Sequence, residues 1–242
     1  VTTSIVIPVY NNLDYTRKCV DAVRAHTTDY ELILVDNASS DGTAEWLWGT
    51  DTHVIRNDTN LGFAAACNQG AAVASGDFIL LLNNDTEVQE GWLTNMLGRV
   101  TKKTGVVGAK LLFPNNTIQH AGVYFIDRGN DFWPYHKYLT WPGRLEEANE
   151  PQSLLCVTGA CFLVPRKVWE ELEGMDEGYV IANFEDVDFC LRAKQRGHNV
   201  WYEPKAVVTH HHSKTIALVP NEVGPQFQAN YNRLMEKHLD WL

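Results

Sequence analysis

The chain has 242 residues, 45% of them hydrophobic, enough for one sizeable core with a small appendage. Its 20 Lys and Arg against 30 Asp and Glu give a net charge of −10, which excludes a general nucleic-acid binder, since that needs a basic face. The five cysteines (Cys19, Cys67, Cys156, Cys161, Cys190) stand in apolar runs without CxxC spacing, which argues against a zinc site and predicts buried free thiols in a reducing compartment.

No run reaches the length of a membrane span, and no signal peptide is present. The chain starts at Val1, almost inside an apolar run, and reads as a domain cut from a longer protein. The expectation is a cytoplasmic protein, or one at the cytoplasmic face of a membrane, associated through flanking segments. Glycosylation sequons at Asn37, Asn57, Asn84 and Asn115 include two on suspected site loops, which favours a compartment where they stay unmodified.

In chain order, residues 4–9 form a short β-branched strand, followed by Tyr10-Asn11-Asn12 and a helix over 13–26 with Leu13, Cys19, Val20 and Val23 at helical spacing. A second strand over 31–36 closes in Asn37-Ala38-Ser39-Ser40-Asp41-Gly42, where Asp41 or Ser40 can cap the helix holding Trp46, Leu47 and Trp48. A third strand over 53–56, a turn at Asn60-Leu61-Gly62-Phe63 and a small-residue helix over 64–74 follow. The apolar run 78–82 is a fourth, fully buried strand, and it leads directly into Asn83-Asn84-Asp85 before a helix over 92–100.

Strand and helix alternating on short connections predict a mostly parallel, Rossmann-like α/β sheet flanked by helices. The rhythm then changes. Strands over 106–113 and 118–125 join at Pro114-Asn115-Asn116. Residues 127–151 are polar, aromatic-rich and without period, and read as a functional loop. A strand over 161–164, helices over 166–172 and 184–196, short strands over 200–202 and 206–208, then His210-His211-His212 and a helix over 225–242 complete the chain.

No glycine-rich phosphate cradle follows any strand. Instead, polar residues end strand one (Tyr10, Asn11), strand two (Asp36, Asn37) and strand four (Asn83, Asp85). In a parallel sheet these ends share one edge, where ligands bind. An aromatic ring beside carboxylates and amides suits a nucleotide, and a carboxylate there can ligate a hard divalent cation. Each residue alone fits a turn or cap better than a ligand role; three converging ends tip the balance to a site. Glu185, Asp186 and Asp188 crowd the start of a helix, where the macrodipole favours acids in any case, and Asp188 and Arg192 stand four apart, as surface pairs do.

The segments Ile5-Val6-Ile7-Pro8-Val9-Tyr10-Asn11, Val35-Asp36-Asn37-Ala38-Ser39-Ser40-Asp41-Gly42-Thr43, Asn60-Leu61-Gly62-Phe63, Leu82-Asn83-Asn84-Asp85, Thr158-Gly159-Ala160, Phe184-Glu185-Asp186-Val187-Asp188 and His210 resemble glycosyltransferase family 2, its rhamnosyltransferase-like members included, in order and spacing. The resemblance spans residues 4–215. It implies a GT-A fold with a smaller mixed β region on the acceptor side, a nucleotide-diphosphate sugar donor, a divalent metal (Mn2+ or Mg2+) and inversion at the anomeric carbon. It also implies a glycosyltransferase domain over 1–215, split into a nucleotide-sugar half (1–100) and an acceptor and catalytic half (101–215), with a helical extension over 216–242.

By the same resemblance, Pro8, Tyr10, Asn11, Asp36, Asn37, Asn60 and Gly62 bind the donor, with Asn83 and Asn84. Asn stands at the first position of the family's DxD metal motif, so Asp85 is the expected direct ligand, and the lost charge weakens the metal site. His210 is the second metal or diphosphate residue, with His212 as fallback. Asp186 is the expected base and Glu185 its neighbour toward the acceptor. Gly159 and Ala160 leave room for the acceptor, and Trp133, in the aromatic stretch up to Trp141, can stack on sugar rings. The expected partners are a UDP- or dTDP-sugar and a glycan or lipid-linked glycan acceptor of a polysaccharide-building pathway. Two rivals stand beside this reading. A sugar nucleotidyltransferase would carry a glycine-rich, Arg- or Lys-bearing loop where Tyr10-Asn11-Asn12 stands. A non-catalytic glycan- or nucleotide-binding domain is favoured by Asn83.

Overall fold

The computed structural model describes residues 1–129, 131–211 and 220–242, with the side chains of 220–225 outside that description. The first half alternates as predicted: β1 (Thr3–Val9), α1 (Leu13–His26), β2 (Tyr30–Asp36), α2 (Thr43–Trp48), β3 (His53–Arg56), α3 (Phe63–Val73) and β4 (Phe78–Leu82). β1 lies between β4 and β2, with β3 beyond β2, all parallel. These strands are apolar on both faces because both faces are covered. Val6, Ile33, Val35, Ile79 and Leu81 pack into one layer with α3, while Ile5, Ile7, Leu32, Leu34, Leu80 and Leu82 pack into the other with α1 and α2. The Asp41 carboxylate accepts from the backbone N–H of both Leu13 and Thr43 at 3.1 Å, so one side chain caps α1 and α2 together.

The second half comprises β5 (Thr86–Val88), α4 (Trp92–Gly98), β6 (Thr104–Leu112), β7 (Ile118–His120), β8 (Val123–Asp127), β9 (Phe132–His136), β10 (Gln152–Leu154), β11 (Cys161–Pro165), α5 (Arg166–Glu171), α6 (Glu185–Gln195), β12 (Asn199–His210) and α7 (Pro220–His238). It extends the same sheet, in the order β10-β12-β6-β11-β4-β1-β2-β3, rather than building a separate one. β11 runs antiparallel to both β4 and β6, and β12 runs parallel to β6. The carboxyl ends of β1, β2, β4, β6 and β12 therefore share one edge with the start of β11. That edge positions the site.

Three expectations need correction. The stretch 118–125 is two strands, broken at Ala121-Gly122, where Gly122 has φ 102°. The stretch 127–151 is not a bare loop: β9 pairs antiparallel with β8 in a two-stranded ribbon off the main sheet. Apart from buried Val123 its residues are half-buried or exposed, so β9 lacks the apolar alternation that would have marked it. The segments 200–202 and 206–208 belong to one strand, β12, whose ladder shifts register between Glu203 and Val207, where Pro204 has no N–H to give. β5 was also missed, and α7 starts earlier than expected, at Pro220.

All five cysteines are buried and unbridged, as predicted. No helix among the described residues is long and apolar enough to cross a membrane.

Candidate active site

A cavity of about 480 Å3 opens on the shared edge, and its wall is drawn from strand ends and loops that are distant in sequence. Pro8 and Tyr10 come from β1, Asn37 from β2, Asn60 and Gly62 from the turn before α3, and Asn83 and Asn84 from β4. Gly159 and Ala160 precede β11, Glu185 and Asp186 open α6, His210 ends β12, and Trp133 stands on the ribbon. Asn11, Asp36 and Asp85 are brought to the same edge but lie behind the wall. Asn11 accepts from the Ser40 N–H at 2.7 Å, holding the first two strand-end loops together. Asp36, 1% exposed, accepts from the Ser39 N–H at 2.9 Å and from the Arg56 guanidinium at 2.7 Å. Asn37 keeps its place on the wall through an amide network missed in the sequence. Asn57 donates to it at 2.8 Å and exchanges hydrogen bonds with Gln69, while Asn37 donates to the Gly62 carbonyl at 3.2 Å.

The missed strand β5 explains how Asp85 meets His210. β5 pairs antiparallel with β12, with Thr86 opposite His210, so the residue before Thr86 reaches the end of β12. His210 Nε2 lies 3.0 Å from Asp85 Oδ1, and both residues are buried. Behind the ring, Gln119 of β7 donates its amide N–H to the His210 carbonyl at 3.2 Å, which turns the Gln119 oxygen toward His210 Nδ1 at 2.5 Å. A carbonyl oxygen only accepts, so Nδ1 carries a proton; Nε2 either donates to the carboxylate or, without a proton, turns a lone pair toward it. At 3.0 Å the two atoms share a proton or, with Nε2 deprotonated, flank a cation. An outer-shell acceptor behind a ring whose other nitrogen faces a carboxylate is the arrangement of a metal-binding His. Nothing in the sequence singled out Gln119.

Asp85 and His210 are two potential ligand groups, and among the described residues no cluster of three or more His, Cys, Asp or Glu converges. Two protein ligands suit a hard cation that takes its remaining oxygens from phosphates and water. Asn83 stands beside them, its amide nitrogen 3.4 Å from His210 Nε2. Among the described residues the cavity wall carries no Lys or Arg. His212 lies outside the described residues.

Across the cavity, Asp186 is held by two backbone donors, Gly159 N–H to Oδ2 at 2.7 Å and Val187 N–H to Oδ1 at 2.8 Å. Gly159 is small for a reason the sequence did not reveal. A Cβ there would stand 3.2 Å from Asp186 Cβ and 3.3 Å from the Phe63 ring. Next to Asp186, Glu185 is 6% exposed, and its Oε2 has no hydrogen-bond partner among the described residues. Burial, and then the charge of Asp186, push its carboxyl up to about 8, so near neutral pH it holds a proton and can donate. Asp188 does not face the cavity. Burial acts to raise it, but hydrogen bonding to His238 and the charges of Arg192 and Lys237 hold its carboxyl below the usual range. The expected Asp188–Arg192 pair forms at 2.7 Å, with Asp188 buried rather than on the helix surface.

Trp133 reaches the wall inside an aromatic box, with ring centroids 6.3 Å from Phe184, 5.8 Å from Phe227 and 4.9 Å from Tyr231. The Arg128 guanidinium lies 4.5 Å over its ring. Trp141 is 56% exposed and stands off the wall.

Known proteins resemble this chain in sequence and in fold. Residues 4–173 match the model of "Glycosyl transferase family 2". The O-antigen biosynthesis protein RfbC of Myxococcus xanthus is 33% identical over 87% of this chain, which spans 17% of that protein. The N-acetylglucosaminyl-diphospho-decaprenol L-rhamnosyltransferase of Mycobacterium tuberculosis is 25% identical over 87% of this chain and 76% of its own length. In structure, GalNAc-T7 solved with UDP, GalNAc and Mn2+ superposes with a TM-score of 0.71 at 20% identity, covering 86% of this chain and 43% of that one. The chain spans 26% or less of two of the relatives it matches. The GT-A fold expected from the sequence is thus present. The polar strand ends, the Asn-Asn-Asp turn and the Glu-Asp start of α6 sit on it in the expected order, and the chain belongs to glycosyl transferase family 2.

Proposed function

We propose that this glycosyltransferase domain moves a sugar, with inversion, from a UDP- or dTDP-sugar to a hydroxyl of a glycan or lipid-linked glycan acceptor, and that it depends on a divalent ion. One observation carries the reading: a carboxylate fixed by two backbone N–H groups, Asp186, faces the same cavity as His210, whose ring meets the buried Asp85 just behind the wall. Tyr10 and Asn37 face the nucleotide, with Asn11 and Asp36 as the struts behind them. Asn60, Gly62, Asn83 and Asn84 line the path to the diphosphate. Asp85 and His210 would hold Mn2+ or Mg2+, whose charge, when bound, neutralises the departing diphosphate on a wall without described Lys or Arg.

Asp186 takes the acceptor hydroxyl's proton as its oxygen attacks the anomeric carbon from the face opposite the leaving diphosphate. Glu185, protonated near neutral pH, donates to a sugar hydroxyl in the cavity. Trp133 offers an apolar edge to the acceptor, and Gly159 and Ala160 leave the approach open. The test is isothermal titration of UDP and dTDP with and without Mn2+. Binding of one of them, tightened by Mn2+, is the expected result. No binding under any condition would sink the reading and return the non-catalytic alternative.

A further inference from the structure

The family match ends at residue 173, and α7 lies well beyond it. Yet α7 forms part of the cavity wall. Phe227, Asn230, Tyr231 and Leu234 recur at helical spacing on its inward face. Phe227 lines the cavity, Tyr231 packs on Trp133, and Asn230 and Leu234 are buried.

Asn230, 2% exposed, spends its side chain on one short stretch of backbone. Its Oδ1 accepts from the Val180 N–H at 3.2 Å, and its Nδ2 donates to the carbonyls of Val180 at 3.0 Å and Ala182 at 2.9 Å. That stretch is strained: Ile181, Asn183 and Phe184 have φ of 65°, 82° and 74°. β-branched Ile181 is an outlier in this region, and such a run persists only where its surroundings over-determine it.

The strained run does two things for the site. The Ile181 carbonyl accepts from the Phe63 N–H at 2.8 Å, seating the Asn60–Phe63 turn, whose Gly62 has φ 88° and no room for a Cβ, which would stand 2.9 Å from Ile181 N. Phe184, the last residue of the run, is the N-cap of α6, so its conformation sets where Glu185 and Asp186 begin. Ion pairs anchor α7 on either side. Asp176 takes Arg233 at 2.8 Å and Lys237 at 2.7 Å, and buried Asp188 takes His238 at 2.8 Å and also Lys237. These dock the helix, whereas Asn230 hydrogen-bonds the residues on either side of Ile181, Val180 and Ala182, and at 3.5 Å the carbonyl of strained Asn183.

We infer that Asn230 is a positioning residue for sugar transfer: from the C-terminal helix it holds residues 180–184 in the left-handed course that aims Asp186 and Glu185 into the cavity and seats the Gly62 turn. The inference rests on the sugar-transfer reading of the cavity.

The test compares the wild type with Asn230→Ala in two arms. In hydrogen exchange of the nucleotide-free protein, the amides of Val180 and Phe63 should exchange at least about tenfold faster in the variant, while those of residues 228–238 keep their protection. In turnover of a panel of UDP- and dTDP-sugars, kcat should fall about 10- to 100-fold with the donor KM within about threefold, because misaiming costs rate more than ground-state binding. Ile181→Gly added to Asn230→Ala should recover part of that kcat, since glycine adopts a positive φ without the penalty. Unchanged exchange at Val180 and Phe63, or loss of protection along all of α7, overturns the proposal, the second by showing that Asn230 merely docks the helix. A wild type that turns over no donor removes the transfer reading. A variant equal to an active wild type removes Asn230 alone.

Discussion

On the donor side of the cavity, Tyr10, Asn37 and Asn83 end three parallel strands that are neighbours in the sheet, and each enters the wall because the strand before it ends there. On the acceptor side, Gly159, Asp186, Trp133 and Phe227 come from a loop, a helix start, an exposed ribbon and a C-terminal helix, and none is placed by its own element alone. Asp186 needs the Gly159 N–H and the strained run before it, and Trp133 needs Phe227 and Tyr231. A sheet edge delivers binding groups cheaply, because the strands are rigid and buried on both faces. Chemistry that must meet a second substrate is built on segments held by long-range contacts.

The largest expected effect divides the two sides outright. Asp186→Asn keeps the side-chain volume and, through its remaining oxygen, one of the two backbone hydrogen bonds, but it cannot take a proton. Transfer should fall by about 10^2- to 10^4-fold, as for loss of a general base, while UDP or dTDP affinity in Mn2+ stays within about twofold of the wild type. Unchanged turnover would remove Asp186 as base and with it the division of labour between the sides.

That division was unevenly legible. The donor side could be read because the strands 4–9, 31–36 and 78–82 are short apolar runs that end in polar residues, and a parallel sheet puts such ends together without any knowledge of side-chain contacts. Asp36 and Asn11 show the limit: the edge was right, but whether a residue faces the cavity or braces it depends on Arg56, Ser39 and Ser40, which meet them through loop geometry. On the acceptor side, Glu185 and Asp186 were identified by resemblance, since acids at a helix start are ordinary. Strand β9 was invisible because its residues are half-buried or exposed and have no period, whereas most of β8 fell within the strand expected over 118–125. Gln119 and Asn230 were out of reach altogether, for each acts across a sequence separation that only the register of β12 or the docking of α7 closes.

Gln119 gives the intermediate prediction, and it sharpens the comparison by crossing it. It belongs to the second half of the chain yet, in the proposed reading, serves the ion beside the donor's diphosphate. Gln119→Leu removes the acceptor that fixes the His210 tautomer, so Mn2+-dependent UDP or dTDP binding should weaken by about 10- to 100-fold, the usual cost of losing an outer-shell partner. Titration in EDTA should show no difference between variant and wild type. A loss of equal size with and without Mn2+ would mean that Gln119 supports the fold rather than the ion.

A stability measurement tests Glu185 without any substrate. Its carboxyl, raised by burial first and then by Asp186 to about 8, ionises near the ordinary 4.5 once the chain unfolds. Between those two pH values the native state carries a proton that the unfolded state has released, so stability falls as pH rises through the window and levels off above it. Folding is therefore favoured most, as far as this group is concerned, below about pH 4.5. Glu185→Gln stays neutral at every pH and removes that slope while keeping the shape. Urea unfolding of both proteins from pH 5 to pH 9 should show the variant gaining on the wild type as pH rises, by on the order of a few kcal/mol at the alkaline end. The gain marks the free energy that the acceptor side stores by keeping an acid buried beside the base, a store with no counterpart among the donor-side amides. A difference that stays constant with pH would mean that Glu185 ionises in the folded protein as it does in water, and that it does not donate a hydrogen bond to the bound sugar near neutral pH.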